Sequence, residues 1–388
     1  MRRNNVGRYV TVSTIGETVR AFIPAPLPPK HLPEWSDKRT LLFAETMRAL
    51  GALDAIGEQV PDIAPFIYTC VRKEAVLSSM IEGTQSSLSD LLLYEQGAYN
   101  EKDTDDVALV SHYVAAMQLG MQRMEEGYPI TLRLMRELHA ELLREGRGAT
   151  KMPGEFRQSQ NWIGGTRPGN AVYIPPPPQE LMGCLGDMEL FINDESETLP
   201  PLIKAALVHV QFESIHPFLD GNGRVGRLLI QMMLCRSGLL KKPLLYLSLY
   251  FKRHRQEYYR LLGSIREDGN WEAWIDYFLE AVGETARSTV EVLTALRPRM
   301  AEHNAWAEGQ GRMRVNTQKV LKVLQRSVLA RPLLLAKQAG LSAATTYKIL
   351  DAMEQQGIVM RRSTGQRNRI YTYMPYFDML QEEMYDSK

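Results

Sequence analysis

Twelve consecutive residues carry the chemistry open to this chain: His216-Pro217-Phe218-Leu219-Asp220-Gly221-Asn222-Gly223-Arg224-Val225-Gly226-Arg227. An imidazole at the entrance, His216, has an ordinary pKa of about 6.5 and suits proton abstraction from a hydroxyl at neutral pH. Asp220 offers one carboxylate, enough to share Mg2+ with a polyphosphate. Gly221, Asn222 and Gly223 are small and tolerant of unusual φ, so successive backbone N–H groups can turn inward as an anion nest. A helix that starts there adds its positive end. Arg224 and Arg227 contribute planar forks matched to phosphate oxygens. Base, metal ligand, nest and two cations together make a phosphoryl- or nucleotidyl-transfer loop. The order His209…Glu213…His216 lacks both HExxH and a third ligand, which argues against a zinc peptidase.

Two apolar runs must hold this loop: LIKAALVHVQFESI delivers it and VGRLLIQMMLCR carries it away. Apolar residues at three- and four-residue spacing predict helices over 41–58, 67–82, 87–96, 106–126, 131–145, 179–194, 200–213, 225–237, 255–267 and 271–295. Residues 1–35 read as a short β-rich arm ending in IPAPLPPKHLP. At 153–178 glycines, asparagines and four consecutive prolines interrupt the helices. There Trp162-Ile163 and Val172-Tyr173-Ile174 flank GGTRPGN, which predicts a β-hairpin. The polar stretch 298–314 reads as a linking helix or a linker. Beyond it, TQKVLKVLQRS, RPLLLAKQAGL and SAATTYKILDAMEQQG predict three helices, the last capped by Ser342 and stopped at Gly357. Two strands over IVMRRSTGQRNRIYTY complete a winged helix-turn-helix order. The expected division is 1–105 for the arm and first helices, 106–297 for the core, 298–315 for the linker and 316–388 for the winged helix.

The string HPFLDGNGRVGR resembles the Fic family motif at each of its defining positions. PGEFRQSQNWIGG, AVYIPPPP, LLYLSLYF and NWEAWIDYFL extend the resemblance over roughly residues 1–300. The resemblance implies a mainly α protein: a helical core with a small β-hairpin flap, here followed by the winged helix. It also implies transfer of AMP from ATP to a Ser, Thr or Tyr hydroxyl of a target protein. His216 would be the general base and Asp220 the Mg2+ ligand. Gly221, Asn222 and Gly223 would form the anion hole, and Arg224 and Arg227 would hold the distal phosphates, with Gly226 between them. Phe218 would anchor the loop in the core. Tyr258 is placed as a wall of the adenine pocket, with core packing as its competing fate. Trp162, Ile163, Val172 and Ile174 would border a flap edge able to pair with an extended target segment.

A second motif lies upstream in Val71-Arg72-Lys73-Glu74-Ala75-Val76-Leu77-Ser78-Ser79-Met80-Ile81-Glu82-Gly83. Its apolar spacing predicts a buried helix ended by Gly83. Glu82 then lies in the final turn, where the helix dipole disfavours a carboxylate by about 0.3–1 kcal/mol. It therefore calls for a cation. Ser78, one turn earlier on the same face, can support the same end. The residues match the family's inhibitory motif, (Ser/Thr)xxxGlu(Gly/Asn). By that resemblance Glu82 would pair with Arg227 in place of the ATP γ-phosphate.

In the C-terminal module Lys348, Arg361, Arg362, Arg367 and Arg369 stand against Asp351 and Glu354, a surplus suited to DNA phosphates or to protein docking. Ser342, Thr345, Thr346 and Lys348 would form the face toward bases. Over all 388 residues, 46 basic and 45 acidic side chains nearly cancel, so no whole-chain field points to nucleic acid or an anionic membrane. Three dispersed cysteines and the lack of a long apolar run lead us to expect a cytoplasmic protein without a membrane span. Expected ligands are ATP and Mg2+; expected partners are a target protein, DNA through the winged helix, and a second copy in a homodimer. The competing reading is a DNA-binding regulator whose Fic core senses nucleotide, or a Fic enzyme that removes AMP or uses another donor.

Overall fold

The computed structural model describes residues 6–31, 33–59, 64–95, 104–146, 148–327, 329–361 and 369–375. The chain enters as an antiparallel hairpin of β1 (Gly7–Thr14) and β2 (Glu17–Pro24), with Gly7 opposite Pro24 and Thr14 opposite Glu17. Ile15 and Gly16 turn it with φ of 49° and 74°, the sign a two-residue hairpin turn needs. Among the described residues the next helices are α1 (Asp37–Gln59), α2 (Ala64–Ile81), α3 (Leu88–Glu95), α4 (Thr104–Glu125), α5 (Leu132–Leu142), α6 (Pro178–Asn193), α7 (Pro201–Ile215), α8 (Asn222–Arg236), α9 (Ser248–Arg253) and α10 (Arg255–Asp268). Helix α1 starts ahead of its apolar periodicity because Ser36 Oγ accepts the Arg39 amide at 3.2 Å, satisfying an end that apolar spacing does not mark.

Helix α7 lies at the centre. From Leu202 to Ile215 only Lys204 escapes burial, so its apolar residues cannot form a single stripe. It packs against α8, and α8 against α2 and α4, so both ends of the loop 216–221 are set in the core. Among the described residues no helix is long and apolar enough to cross a membrane.

Two expected elements take another form. Pro298 does not end the preceding helix: α11 (Trp271–Glu308) runs straight through it. The lost hydrogen bond is offset by contacts beyond it, where Ala307 is fully buried and His303 Nδ1 meets Tyr373 Oη at 2.9 Å. After α12 (Arg314–Ser327) come β3 (Leu329–Ala330), α13 (Pro332–Ala339), α14 (Ala343–Gln355), β4 (Val359–Arg361) and β5 (Tyr371–Tyr373), paired in the order β3-β5-β4. Helix α12 packs on α11 and on α2. The flap hairpin, in turn, shrinks to one bridge between Ile163 and Tyr173. Pro175 to Pro178 have no N–H to extend a ladder, and Gly164 and Gly165 both leave the strand region with φ near 70°. The far side of the flap is tied instead to β2, where Phe22 N–H donates to the Ile174 carbonyl at 2.9 Å.

Candidate active site

The loop starts with an abrupt stop to α7. His216 adopts the left-handed conformation (φ 50°, ψ 62°), uncommon for a residue with a Cβ, and so turns the chain out of the helix. Phe218 then drops fully into the core, with the His139 ring stacked on it at 3.7 Å. The side chain of Asn222 closes the loop on itself: Oδ1 accepts the Phe218 amide and Nδ2 donates to its carbonyl, both at 2.8 Å. Of the three residues expected to form the anion hole, Asn222 thus has only its backbone to offer. Gly221, with φ 76°, opens α8, whose first N–H groups have no partner within the helix.

Arg157, which sequence reasoning missed, fixes the other side. Its guanidinium donates to the carbonyls of His216 at 2.9 Å, Pro176 at 2.5 Å, Ile215 at 3.3 Å and Ser159 at 3.2 Å. Its own amide reaches the Pro217 carbonyl. Nothing in the sequence near Arg157 signals this, because apart from Ser159 its partners are backbone groups 19 to 60 positions away.

His216 is not the ordinary imidazole that its residue type suggests. Burial, then Arg266 and Arg157, lowers its pKa to about 3, so the ring is neutral throughout the physiological range. Its Nδ1 lies 4.0 Å from Glu213 Oε2, and burial raises the Glu213 carboxyl to about 7. Asp220 points outward, its Oδ1 accepting the Gly221 amide at 2.6 Å and facing Arg224 Nη2 at 3.4 Å. No cluster of three or more His, Cys, Asp or Glu converges among the described residues. A cation here would take Asp220 from the protein and its remaining oxygens from phosphates and water, a donor set that fits Mg2+.

Arg227 is nearly inaccessible, and two of its three guanidinium nitrogens are engaged. Nε donates to Ser78 Oγ at 2.7 Å, and Nη2 to the Ser78 carbonyl at 3.0 Å and to Glu82 Oε1 at 2.7 Å. Burial opposes its charge, but Glu82, Tyr258 and Glu213 outweigh that and raise its pKa above the arginine range. Glu82 follows the last residue of α2, its amide bonded to the Ser79 carbonyl, and Gly83 turns away with φ 96°. The carboxylate rests against the first turn of α8: a Cβ on Gly223 would lie 2.1 Å from Glu82 Oε1. Glu74, two turns before Glu82, anchors the same face by accepting from Ser248 N at 3.0 Å and Ser248 Oγ at 2.5 Å.

Four groups of predicted residues fare differently. Tyr258 is not a pocket wall: it is 1% exposed, and its hydroxyl meets His209 Nε2 at 2.8 Å inside an aromatic cluster with Phe251 and Trp274. Its neighbour Tyr259 is the half-exposed ring. Tyr258→Phe should therefore cost about 1–3 kcal/mol in a denaturant titration by leaving His209 unpaired, with ATP affinity unchanged. Ile174 packs with Val19 and Ala21 of the arm, Trp162 joins them, and only Val172 stands out in solvent. In α14, Thr346 is buried, with its Oγ1 on the Ser342 carbonyl, and the Ser342 hydroxyl caps the Thr345 amide. Thr346 is therefore not available to read bases. Lys348 is exposed, Arg361 lies 3.9 Å from Glu354, Arg369 covers the Tyr347 ring, and Arg362 and Arg367 lie outside the described residues.

With this geometry in place, comparison gives the class. The Fic/DOC family profile matches residues 129–234 and the family's N-terminal profile matches residues 41–122, so these two segments carry the pattern of that family. It is similar to the protein adenylyltransferase Fic of Drosophila willistoni, 29% identical over 257 residues, 64% of this chain and 47% of that protein. The protein adenylyltransferase Fic of Drosophila melanogaster is 30% identical over 208 residues, 53% of this chain and 39% of that protein. The chain thus spans less than half the length of these relatives. Among solved structures, a Fic family protein from Desulfovibrio desulfuricans G20 matches with a TM-score of 0.57 at 20% identity, covering 89% of this chain and 98% of that one. Fic-1 (aa134 - 508) from C. elegans matches at 0.51 and 21%, covering 67% and 74%. These two likenesses bear on the fold.

Proposed function

We propose that the chain is a protein adenylyltransferase, moving AMP from ATP to a Ser, Thr or Tyr hydroxyl of a protein, and that Glu82 restrains it. The observation that carries the reading is the arrangement around one loop. A neutral imidazole and a carboxylate lie on a six-residue loop that runs directly into the open N-terminus of α8, whose first six residues carry both arginines. In the reaction, the target hydroxyl oxygen attacks the α-phosphorus of ATP while its proton passes to His216. The bond to the bridging oxygen breaks, and pyrophosphate leaves with the electron pair. Arg224, Arg227 and the amides of α8 stabilise the phosphate charge, which develops in a site already organised to receive it. A cation held by Asp220 and the phosphates would supply further charge neutralisation.

Glu82 enters this scheme as a resident anion. Its carboxylate uses the fork of Arg227 and presses on Gly223, so a nucleotide that binds while Glu82 stays must place its γ-phosphate elsewhere. Relatives named protein adenylyltransferase add weight to AMP as the group moved. The reading is tested by the phosphorus products of ATP turnover by Glu82→Gly protein with Mg2+ and acceptor protein, followed by 31P NMR. Pyrophosphate formed in step with acceptor consumption is the expected outcome. ADP with phosphorylated acceptor would instead indicate γ-phosphoryl transfer, and ADP with free orthophosphate would indicate hydrolysis; either sinks the proposal.

A further inference from the structure

We propose that His139 of α5 is a positioning residue for the loop: its Nε2–H holds the Asp220 carbonyl and thereby presets the Asp220 carboxylate and the turn at Gly221 for a cation-bound polyphosphate. The ring lies between two backbone groups of unlike kind. The Gly154 amide donates to Nδ1 at 2.9 Å, so Nδ1 carries no proton and Nε2 must carry it. That N–H faces the Asp220 carbonyl at 3.0 Å. The tautomer is thus decided by an element outside the loop and delivered to the loop as a donor. Burial outweighs the Asp220 contact and, with Arg224, lowers the ring's pKa to about 4, which keeps this neutral form in place.

Packing leaves the ring no other position. His139 is fully buried, lies within 9° of parallel to Phe218, and a Cβ on Gly221 would come within 3.6 Å of its ring. The residue it holds is the one whose direction matters most. Asp220 is partly exposed and, among the described residues, its side chain accepts from the Gly221 amide and faces Arg224, so its main chain is fixed from beneath. Groups that orient a metal-ligating side chain in this way typically change metal affinity about 10- to 100-fold when removed.

The inference rests on the Asp220 assignment in the proposed function, and its test does not require catalysis. ATP binding by the full chain carrying Glu82→Gly would be measured by calorimetry in Mg2+ and again in EDTA, for His139, His139→Gln and His139→Asn. Glutamine places its amide nitrogen where Nε2 stands and keeps the donor to Asp220. Asparagine reaches only the Nδ1 position and keeps the acceptor for Gly154. The expected result is that His139→Asn loses about 10-fold or more of the Mg2+-dependent gain in affinity while His139→Gln stays within about threefold, with EDTA values alike. Thermal melting of each variant separates this from unfolding, and His139→Asn, which retains the Gly154 bond, is built to stay folded. If His139→Asn binds like the parent and His139→Gln does not, the ring only staples Gly154 and the inference fails. Equal losses with and without Mg2+ would also overturn it. Absence of AMP transfer from a parent that binds ATP with Mg2+ normally would count against the proposed function and leave the positioning role standing.

Discussion

Glu82→Gly should transfer AMP about 100-fold faster than the unaltered chain. The estimate follows from geometry: displacing a reacting group by about 1 Å can cost on that order in rate. In the resting chain Arg227 donates to Ser78 through two nitrogens and to Glu82 through Nη2. Removing the Glu82 side chain leaves the Ser78 bonds, so Arg227 stays in place with Nη2 turned to the nucleotide. The fork and the first turn of α8 then receive the γ-phosphate together, and the α-phosphorus can line up with the attacking hydroxyl. ATP should gain affinity by more than ADP does, because only ATP carries the phosphate that Glu82 displaces. Calorimetric titration with both nucleotides checks this separately from the rate. An equal gain for ADP would mean that Glu82 acts by some route other than competition at Arg227.

His216→Ala in the Glu82→Gly background should reduce transfer by about 10²- to 10⁴-fold, the usual range for loss of a general base. Nucleotide affinity should barely move, since the phosphates are held by α8 and the arginines. Alanine is strained in the left-handed backbone that His216 occupies, whereas asparagine tolerates it, so His216→Asn is the cleaner control. Equal losses in both variants would assign the effect to the imidazole and not to the backbone. A steady rate in either, with ATP bound, would remove His216 from the reaction.

The loop and the helix end that carries Glu82 were legible in the sequence because their patterns are local. A base, a carboxylate, glycines and two arginines within one turn between helices declare themselves by type and spacing. So does a glutamate at the end of a buried helix before Gly83. That Glu82 contacts Arg227, 145 positions away, was supplied by family resemblance; periodicity alone leaves the two apart. Arg157 and His139 stayed hidden for a different reason. Each acts through main-chain groups, and a side chain that bonds a distant carbonyl leaves no pattern in its own neighbourhood. Tyr258 shows the opposite error, since an aromatic on a downstream helix suits a nucleotide pocket and a core equally well; the hydroxyl of His209's partner decided for the core. The flap failed as a hairpin because turn composition predicts reversal, not ladder length, and prolines after Ile174 forbid further pairing. Pro298 misled in the same local way, its cost being offset by contacts with residues some 70 positions later.

The most direct test of the central claim is label transfer from α-32P-ATP with Mg2+ to protein, comparing the unaltered chain, Glu82→Gly, and Glu82→Gly with His216→Ala. The account predicts little label with the unaltered chain, strong label with Glu82→Gly, and its loss in the double variant. Equal labelling by Glu82→Gly and the double variant, or none from Glu82→Gly protein that binds ATP, would contradict it.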